Sequence, residues 1–247
     1  MMLTENTVSK LYDMKLSVMA QKYKEQLNDN KLSDISHEEK VGIIVDAEWA
    51  ARKSSRMTRL IKNADFAITD ANIEDIDFRP ERKLNKTQIQ RLATCNYILE
   101  SHNILIMGAS GAGKTYMACA FGITACRDFF TVKYVRLPDL LVELAIARAE
   151  NNYRNVMKRY KKVKLLILDE WLLYPLKENE VRDLLEIVEA RHRSASTIFC
   201  SQFSIAGWHM KIGEPTLADA VCDRIAHNSY TITIEGDSMR KRNGIQE

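Results

Sequence analysis

Residues 108–115 read Gly-Ala-Ser-Gly-Ala-Gly-Lys-Thr and meet every fixed position of the pattern G-x-x-x-x-G-K-[ST]. Residue types in this order hold phosphates. Gly108, Gly111 and Gly113 let the backbone turn sharply, so that successive N–H groups from Ala109, Ser110 and Ala112 onward, as far as Tyr116, can face phosphate oxygens. Lys114 is placed to reach the β- and γ-phosphates, and Thr115 to offer its hydroxyl to Mg²⁺. About 50 residues on, "LLILDE" ends an apolar run in two adjacent acids, Asp169 and Glu170. A buried Asp169 at a strand tip is costly without a partner, and a hydrated Mg²⁺ supplies one. Glu170, one residue further, is placed to polarise an attacking water. The pair therefore points to hydrolysis, beyond nucleotide binding alone.

Such chemistry needs a strand before the loop and a helix after it. "NILIM" (103–107) provides the strand, and a helix is expected to begin near Lys114, its N-terminus adding partial positive charge. Four more apolar, β-branched-rich runs follow: 131–135, 164–169, 196–201 and 230–234, with stretches of helical composition between the earlier ones. The alternation predicts an α/β domain with a parallel five-stranded sheet covered on both faces.

Ahead of that domain, Leu16, Met19, Tyr23 and Leu27 fall at helical spacing, predicting a helix over about 7–28. "SHEE" (36–39) has the form of a capping box opening a second helix, with Val41, Ile44, Val45 and Trp49 as its apolar face. Arg52, Arg56 and Arg59 share a face near its end; a solvated charge stripe is the simplest reading, with contact to nucleic acid or to a protein as alternatives. The chain divides in this reading into a helical N-terminal domain (1–67), an extended linker (68–86) and a nucleotide-hydrolysing α/β domain (87–247).

Of the 247 residues, 46% are hydrophobic and 28% charged, which excludes wholesale disorder. The net charge of +3 argues for no partner by itself. Five scattered cysteines with no Cys-x-x-Cys spacing predict buried, reduced thiols in a cytoplasmic protein, not disulfides or zinc ligands. No apolar run approaches the length of a membrane span, and no leader segment is expected. "LNKTQ" lacks the Asp of a guanine-reading Asn-Lys-x-Asp motif, so ATP is the expected nucleotide. A nucleotide or metabolite kinase would share the phosphate loop but rarely keeps a paired Asp-Glu after a later strand.

With the loop and the acidic pair in place, the run "SQF…GWH…GEPTLADAVCDRI" followed by "GDSMRK" is the most specific feature of the chain. The sequence closely resembles the IstB family, helper ATPases of bacterial insertion sequences, themselves related to helicase loaders of the DnaC and DnaI type. The resemblance spans nearly the whole chain. It implies an AAA+ fold whose small helical N-terminal domain docks on the transposase, and ATP-dependent homo-oligomerisation on DNA, with nucleoid association while bound. By motif position it implies a γ-phosphate sensor at Ser201 or Gln202, with Gln202 preferred for reach. It also implies that Arg224 crosses to a neighbouring subunit's ATP and that Arg240 is a second sensor acting in cis. Phe78, Arg79 and Leu84 fall where AAA+ proteins place the adenine. Only about a dozen residues follow "YTITI", which implies a reduced lid and leaves the position of Arg240 open.

Residues 148–164 carry the strongest charge asymmetry. Arg148, Arg154, Lys158, Arg159, Lys161, Lys162 and Lys164 stand against Glu150, with Tyr153 and Tyr160 interleaved. A solvated basic helix is one reading; the resemblance favours phosphate contacts with double-stranded DNA. Without a readable array of Asn, Gln and Arg, binding is expected to be mainly sequence-independent. Six such contacts give a slope of about −5 for log K against log salt. A replicative helicase loader would share every ATPase residue and differ in its partner.

Overall fold

A computed structural model of the chain describes residues 2–28, 35–236 and 238–239. They divide into two units, 1–59 and 60–247.

The first unit holds α1 (Met2–Asp13), α2 (Ser17–Asn28) and most of α3 (His37–Ala64). The single helix expected over 7–28 is broken: Lys15 adopts a left-handed φ of 58°, and the N–H of Leu16 donates back to the Leu11 carbonyl. No glycine or proline marks this turn in the sequence, so periodicity alone ran through it. The capping box is present, the Glu39 N–H donating to the Ser36 hydroxyl and the Ser36 N–H to the Glu39 carboxylate. The apolar face expected to pack on α3 is instead exposed at Val41, Val45 and Trp49. Glu48 is buried in its place, accepting from the N–H groups of Val18 and Met19 at the start of α2. Arg52 pairs with Glu48 at 2.7 Å and donates to the Lys15 carbonyl, so one member of the arginine row is structural. Arg52, with the same two N–H groups, holds the Glu48 carboxyl below the usual carboxylate range.

The second unit begins in the last turn of α3. It continues through α4 (Lys86–Ala93), α5 (Asn96–Leu99), β1 (Asn103–Gly108), α6 (Lys114–Arg127), β2 (Val132–Arg136), α7 (Leu137–Ala149), α8 (Tyr153–Lys162), β3 (Leu165–Asp169), α9 (Glu178–Arg191), β4 (Ser196–Ser201), α10 (Ile205–Ile212), α11 (Pro215–Ala226) and β5 (Ser229–Ile234). The five strands form one parallel sheet in the order β2-β3-β4-β1-β5. Alternation along the strands divides the core between two faces. Ile104, Ile106, Leu165 and Ile167 join α6 on one face, while Leu105, Leu166, Leu168 and Phe199 join α7 to α11 on the other.

Residues 68–86 are no free linker. Ala71 and Ile76 are buried in the first cluster, and Ile68, Ile73, Phe78 and Leu84 pack against it. These apolar residues are spaced too irregularly to give a helical or strand period, so their burial is a tertiary effect. The division between units falls at 59/60 instead of 67/68. All five cysteines are buried, and burial pushes the thiols of Cys95 and Cys126 up to about 12 and those of Cys119 and Cys222 to about 11. Among the described residues no helix is long and apolar enough to cross a membrane.

Candidate functional site

The phosphate loop leaves the end of β1 and enters α6 directly at Lys114. Gly113, the N-cap of α6, has φ 98°, a conformation that strains any L side chain. Gly108 is required for a different reason: a Cβ there would lie 2.5 Å from the Ile234 carbonyl of neighbouring β5. The Lys114 ammonium donates to the carbonyls of Gly108 and Ala109, both at 2.8 Å, which sets it across the loop. Ala109 and Ser110 are exposed at the loop crest.

The acidic pair reaches the same edge on β3. Asp169 is 4% exposed. Its Oδ2 accepts from the Thr115 hydroxyl at 2.7 Å and the Tyr134 hydroxyl at 2.9 Å, and its Oδ1 from the Glu170 N–H at 2.8 Å. Thr115 and Asp169 thus converge from α6 and β3 as hard oxygen donors. Mg²⁺ takes such a set through one or two carboxylates with phosphate and water completing its shell, so the residues fit that ion. Burial, and then the Asp169 charge, push the Tyr134 phenol far above its ordinary range, so it serves as a donor. Glu170 sits in left-handed backbone (φ 53°) and turns outward to pair with Arg136 at 2.7 Å. Tyr134 and Arg136, the β2 residues that grip the two acids, were not picked out from the sequence. They stand two apart at the end of "TVKYVR", a signal available only once β2 is known to neighbour β3.

β4 lies between β1 and β3, so its tip falls between loop and acids. Ser201 there is buried and its hydroxyl is engaged: it donates to the Trp171 carbonyl and accepts from the N–H groups of Phe203 and Trp208. Gln202 is exposed at the strand end. Of the two candidates, only Gln202 has a side chain free of that internal network.

Beside the loop, Asp75, Ile76, Asp77, Arg82, Tyr116 and Met239 line a cavity of about 270 Å³ that also touches Gly113. Buried Arg82 donates to the Ala112 carbonyl at 2.6 Å, joining segment 73–82 to the loop. Tyr116 accepts from the Asn72 N–H. The Met239 N–H donates to the Gly111 carbonyl, bringing the end of the described chain onto the loop. None of the three residues expected at the adenine lines this cavity, although Arg79 reaches Met239 of its wall. Phe78 packs on the core under the Lys86 ammonium, Leu84 packs on the same core, and Arg79 is tied to Asp77. The residues facing the cavity are close by in sequence, Ile76, Asp77 and Arg82, shifted by the two short 3-10 turns at 73–75 and 80–82.

Arg224 on α11 pairs with Glu189 of α9 at 3.0 Å and donates to the Ala220 carbonyl, contacts away from the loop of its own chain. Arg240 lies outside the described residues. The basic run is split by the fold. Arg148 is bound to Asp183, Arg159 to Glu143 and Lys161 to Glu186. Among the described residues, Arg154, Lys158, Lys162 and Lys164 are exposed and form no ion pair. The first three stand at i, i+4 and i+8 on α8 and so make one stripe.

The family model described as IstB-like ATP binding protein matches residues 9–247. The chain belongs to this family. It is 39% identical over 240 residues to y4pL of Sinorhizobium fredii (strain NBRC 101917 / NGR234), named as an insertion sequence ATP-binding protein, covering 97% of this chain and 98% of that one. Among solved structures, AMPPCP-bound DnaA from Aquifex aeolicus matches with a TM-score of 0.60 at 21% identity, covering 71% of this chain and 54% of that one. DnaI matches with a TM-score of 0.58 at 23% identity, covering 69% and 91%. Both likenesses concern the fold, which is that of AAA+ P-loop domains. The family assignment and the fold agree with what "GASGAGKT", the Asp-Glu pair and the C-terminal run imply.

Proposed function

We propose that the chain is an ATP-dependent regulator of transposition that oligomerises on duplex DNA, selects target DNA and stimulates its partner transposase, with ATP hydrolysis as the release signal. The observation that carries this is the convergence of Thr115, Asp169 and Glu170 beside the phosphate loop in a chain that matches insertion-sequence ATP-binding proteins along nearly its whole length.

The loop N–H groups and Lys114 bind the phosphates, and the cavity of Ile76, Asp77, Arg82 and Met239 takes the nucleoside. Thr115 and Asp169 hold Mg²⁺, which when bound neutralises charge building on the phosphates. Glu170 takes the proton of the attacking water. To do so it must leave Arg136, so the pair observed is a resting arrangement. Gln202 contacts the terminal phosphate. Arg224, exchanging Glu189 for a neighbour's ATP, supplies transition-state charge, an effect of roughly 10³–10⁵ in rate where an arginine acts in trans. Hydrolysis then depends on assembly.

DNA lies along the α8 stripe. Because three of the seven cations are engaged within the fold, the four that remain give a salt slope of about −3 to −4, shallower than the sequence suggests. Substituting Arg154, Lys158 and Lys162 with Ala should flatten that slope by about 3, whatever the duplex sequence. The exposed face of Val41, Val45 and Trp49 suits the transposase; an apolar face of this kind on a short helical unit is a protein-docking surface. The family match from residue 9 includes that unit, which favours this reading over a helicase loader.

ATP turnover with and without duplex DNA tests the proposal. Duplex should stimulate the parent, and Glu170→Gln should bind ATP yet turn it over roughly 10²–10⁴-fold more slowly. Turnover indifferent both to duplex and to Glu170→Gln would overturn it.

A further inference from the structure

Tyr134 occupies a position where packing alone does not need a hydroxyl. It is 7% exposed on β2, opposite Ile167 of β3, and its ring joins the apolar cluster under α6. A phenylalanine would fill the same space without a polar atom to desolvate, and an unsatisfied buried hydroxyl is costly. The Tyr134 hydroxyl instead reaches diagonally along the sheet, past its register partner, to Asp169.

What it meets there is a carboxylate already bonded by two other donors, the Thr115 hydroxyl from α6 and the N–H of Glu170, the next residue along the chain. With Tyr134 on β2 the count becomes three, and the rotation of the Asp169 carboxylate is fixed. Each donor is neutral, so each steadies the anion without cancelling its charge. The Thr115 hydroxyl spends its proton on Asp169, which leaves the lone pairs of its oxygen to face a cation.

We infer that Tyr134 is a positioning residue for the divalent cation site, its hydroxyl holding the Asp169 carboxylate in the orientation that Mg²⁺ requires. The inference rests on the ATPase reading above and deepens it by naming what organises the metal aspartate. Partners of this kind, one bond removed from the metal, typically cost 10- to 100-fold in metal affinity when lost.

The test is the Mg²⁺ dependence of nucleotide binding, read by anisotropy of a fluorescent ATP analogue bound to the full chain, in EDTA and across a Mg²⁺ titration. Tyr134→Phe removes only the hydroxyl. The control is Tyr97→Phe, since the Tyr97 hydroxyl is also buried but finds no hydrogen-bond partner among the described residues. For Tyr134→Phe the half-saturating Mg²⁺ should rise about 10-fold or more. Affinity in EDTA should stay within about twofold of the parent, because the phosphate contacts are made by other residues. Tyr97→Phe should match the parent in both. Mn²⁺ electron paramagnetic resonance should report the same loss without relying on turnover. An unchanged Mg²⁺ titration, or equal weakening with and without Mg²⁺, would overturn the inference and make Tyr134 a packing residue. A parent whose nucleotide binding ignores Mg²⁺ would instead overturn the ATPase reading, and this inference with it.

Discussion

Two pairs of neighbours along the chain, Glu48-Trp49 in the helical unit and Asp169-Glu170 in the α/β unit, show how differently the two units use their residues. On α3 the acid is 6% exposed and the tryptophan 63% exposed, an inversion of the usual order. Glu48 is inside because it caps the first N–H groups of α2, and Trp49 is outside, with the Lys53 ammonium 4.8 Å over its ring. On β3 one acid is buried and immobilised by hydroxyls, while the next is outward, held by a single exchangeable arginine. The α/β unit has assembled its site from its own elements. The helical unit buries Val8, Ala20 and Glu48 and leaves Val41, Val45 and Trp49 exposed, the face proposed above to meet the transposase.

Substitutions can break that contrast at several points. The largest effect is expected at Arg191, which is buried and donates to the carbonyls of Tyr160, Val163 and Ser196 and to the Thr197 hydroxyl. It closes the end of α8 onto β4. Arg191→Met should cost about 3 kcal/mol in denaturant unfolding, since it strands several buried carbonyls at once. In the helical unit, Glu48→Ala should cost about 1.5–3 kcal/mol, the range for hydrogen bonds to a charged group. Trp49→Ala should change stability by no more than about 0.5 kcal/mol and leave ATP binding intact, while abolishing capture of the transposase. If Trp49→Ala instead destabilised the fold as much as Glu48→Ala, the contrast between scaffold and docking face would be wrong.

A smaller effect is expected in acid. The Arg79 guanidinium holds the Asp77 carboxyl down to about 2, from an ordinary 3.8. A carboxyl lowered on folding adds stability that is complete above its unfolded value and is lost as pH falls towards the folded one. The cavity wall at Asp77 and Arg82, braced from outside by Arg79, should therefore loosen between about pH 4 and pH 2, with nucleotide-analogue affinity falling over the same window. Asp77→Asn should remove that part of the acid sensitivity.

The α/β unit was legible in the sequence because its signals are local. "NILIM", "KLLILD" and "STIFCS" are buried strands whatever lies beside them, and "GASGAGKT" carries its own turn chemistry. Asp169 and Glu170 could be read from one strand end. Tyr134 and Arg136 could not, because their importance depends on β2 lying beside β3, a pairing that sequence spacing does not give. The basic run shows the same limit. Its composition is local, but which cations are engaged depends on Asp183, Glu143 and Glu186, contributed by α7 and α9. In the helical unit the apolar stripe of α3 was visible and its burial was not, since period predicts a face and says nothing of what covers it. Residues 68–86 failed as a linker for a related reason: single apolar residues at Ala71 and Ile76 anchor a segment too irregular to show a period.

The central claim is that ATP joins copies of this chain on DNA. Light scattering of the full chain with ATP and a long duplex, beside each alone and beside Arg224→Ala, tests it most directly. The account predicts a defined assembly that needs both ATP and duplex, dissolves as ATP is consumed, and turns ATP over roughly 10³-fold more slowly in Arg224→Ala, which still binds ATP. A single-chain mass under every condition, with Arg224→Ala hydrolysing ATP at the parent rate, would contradict it.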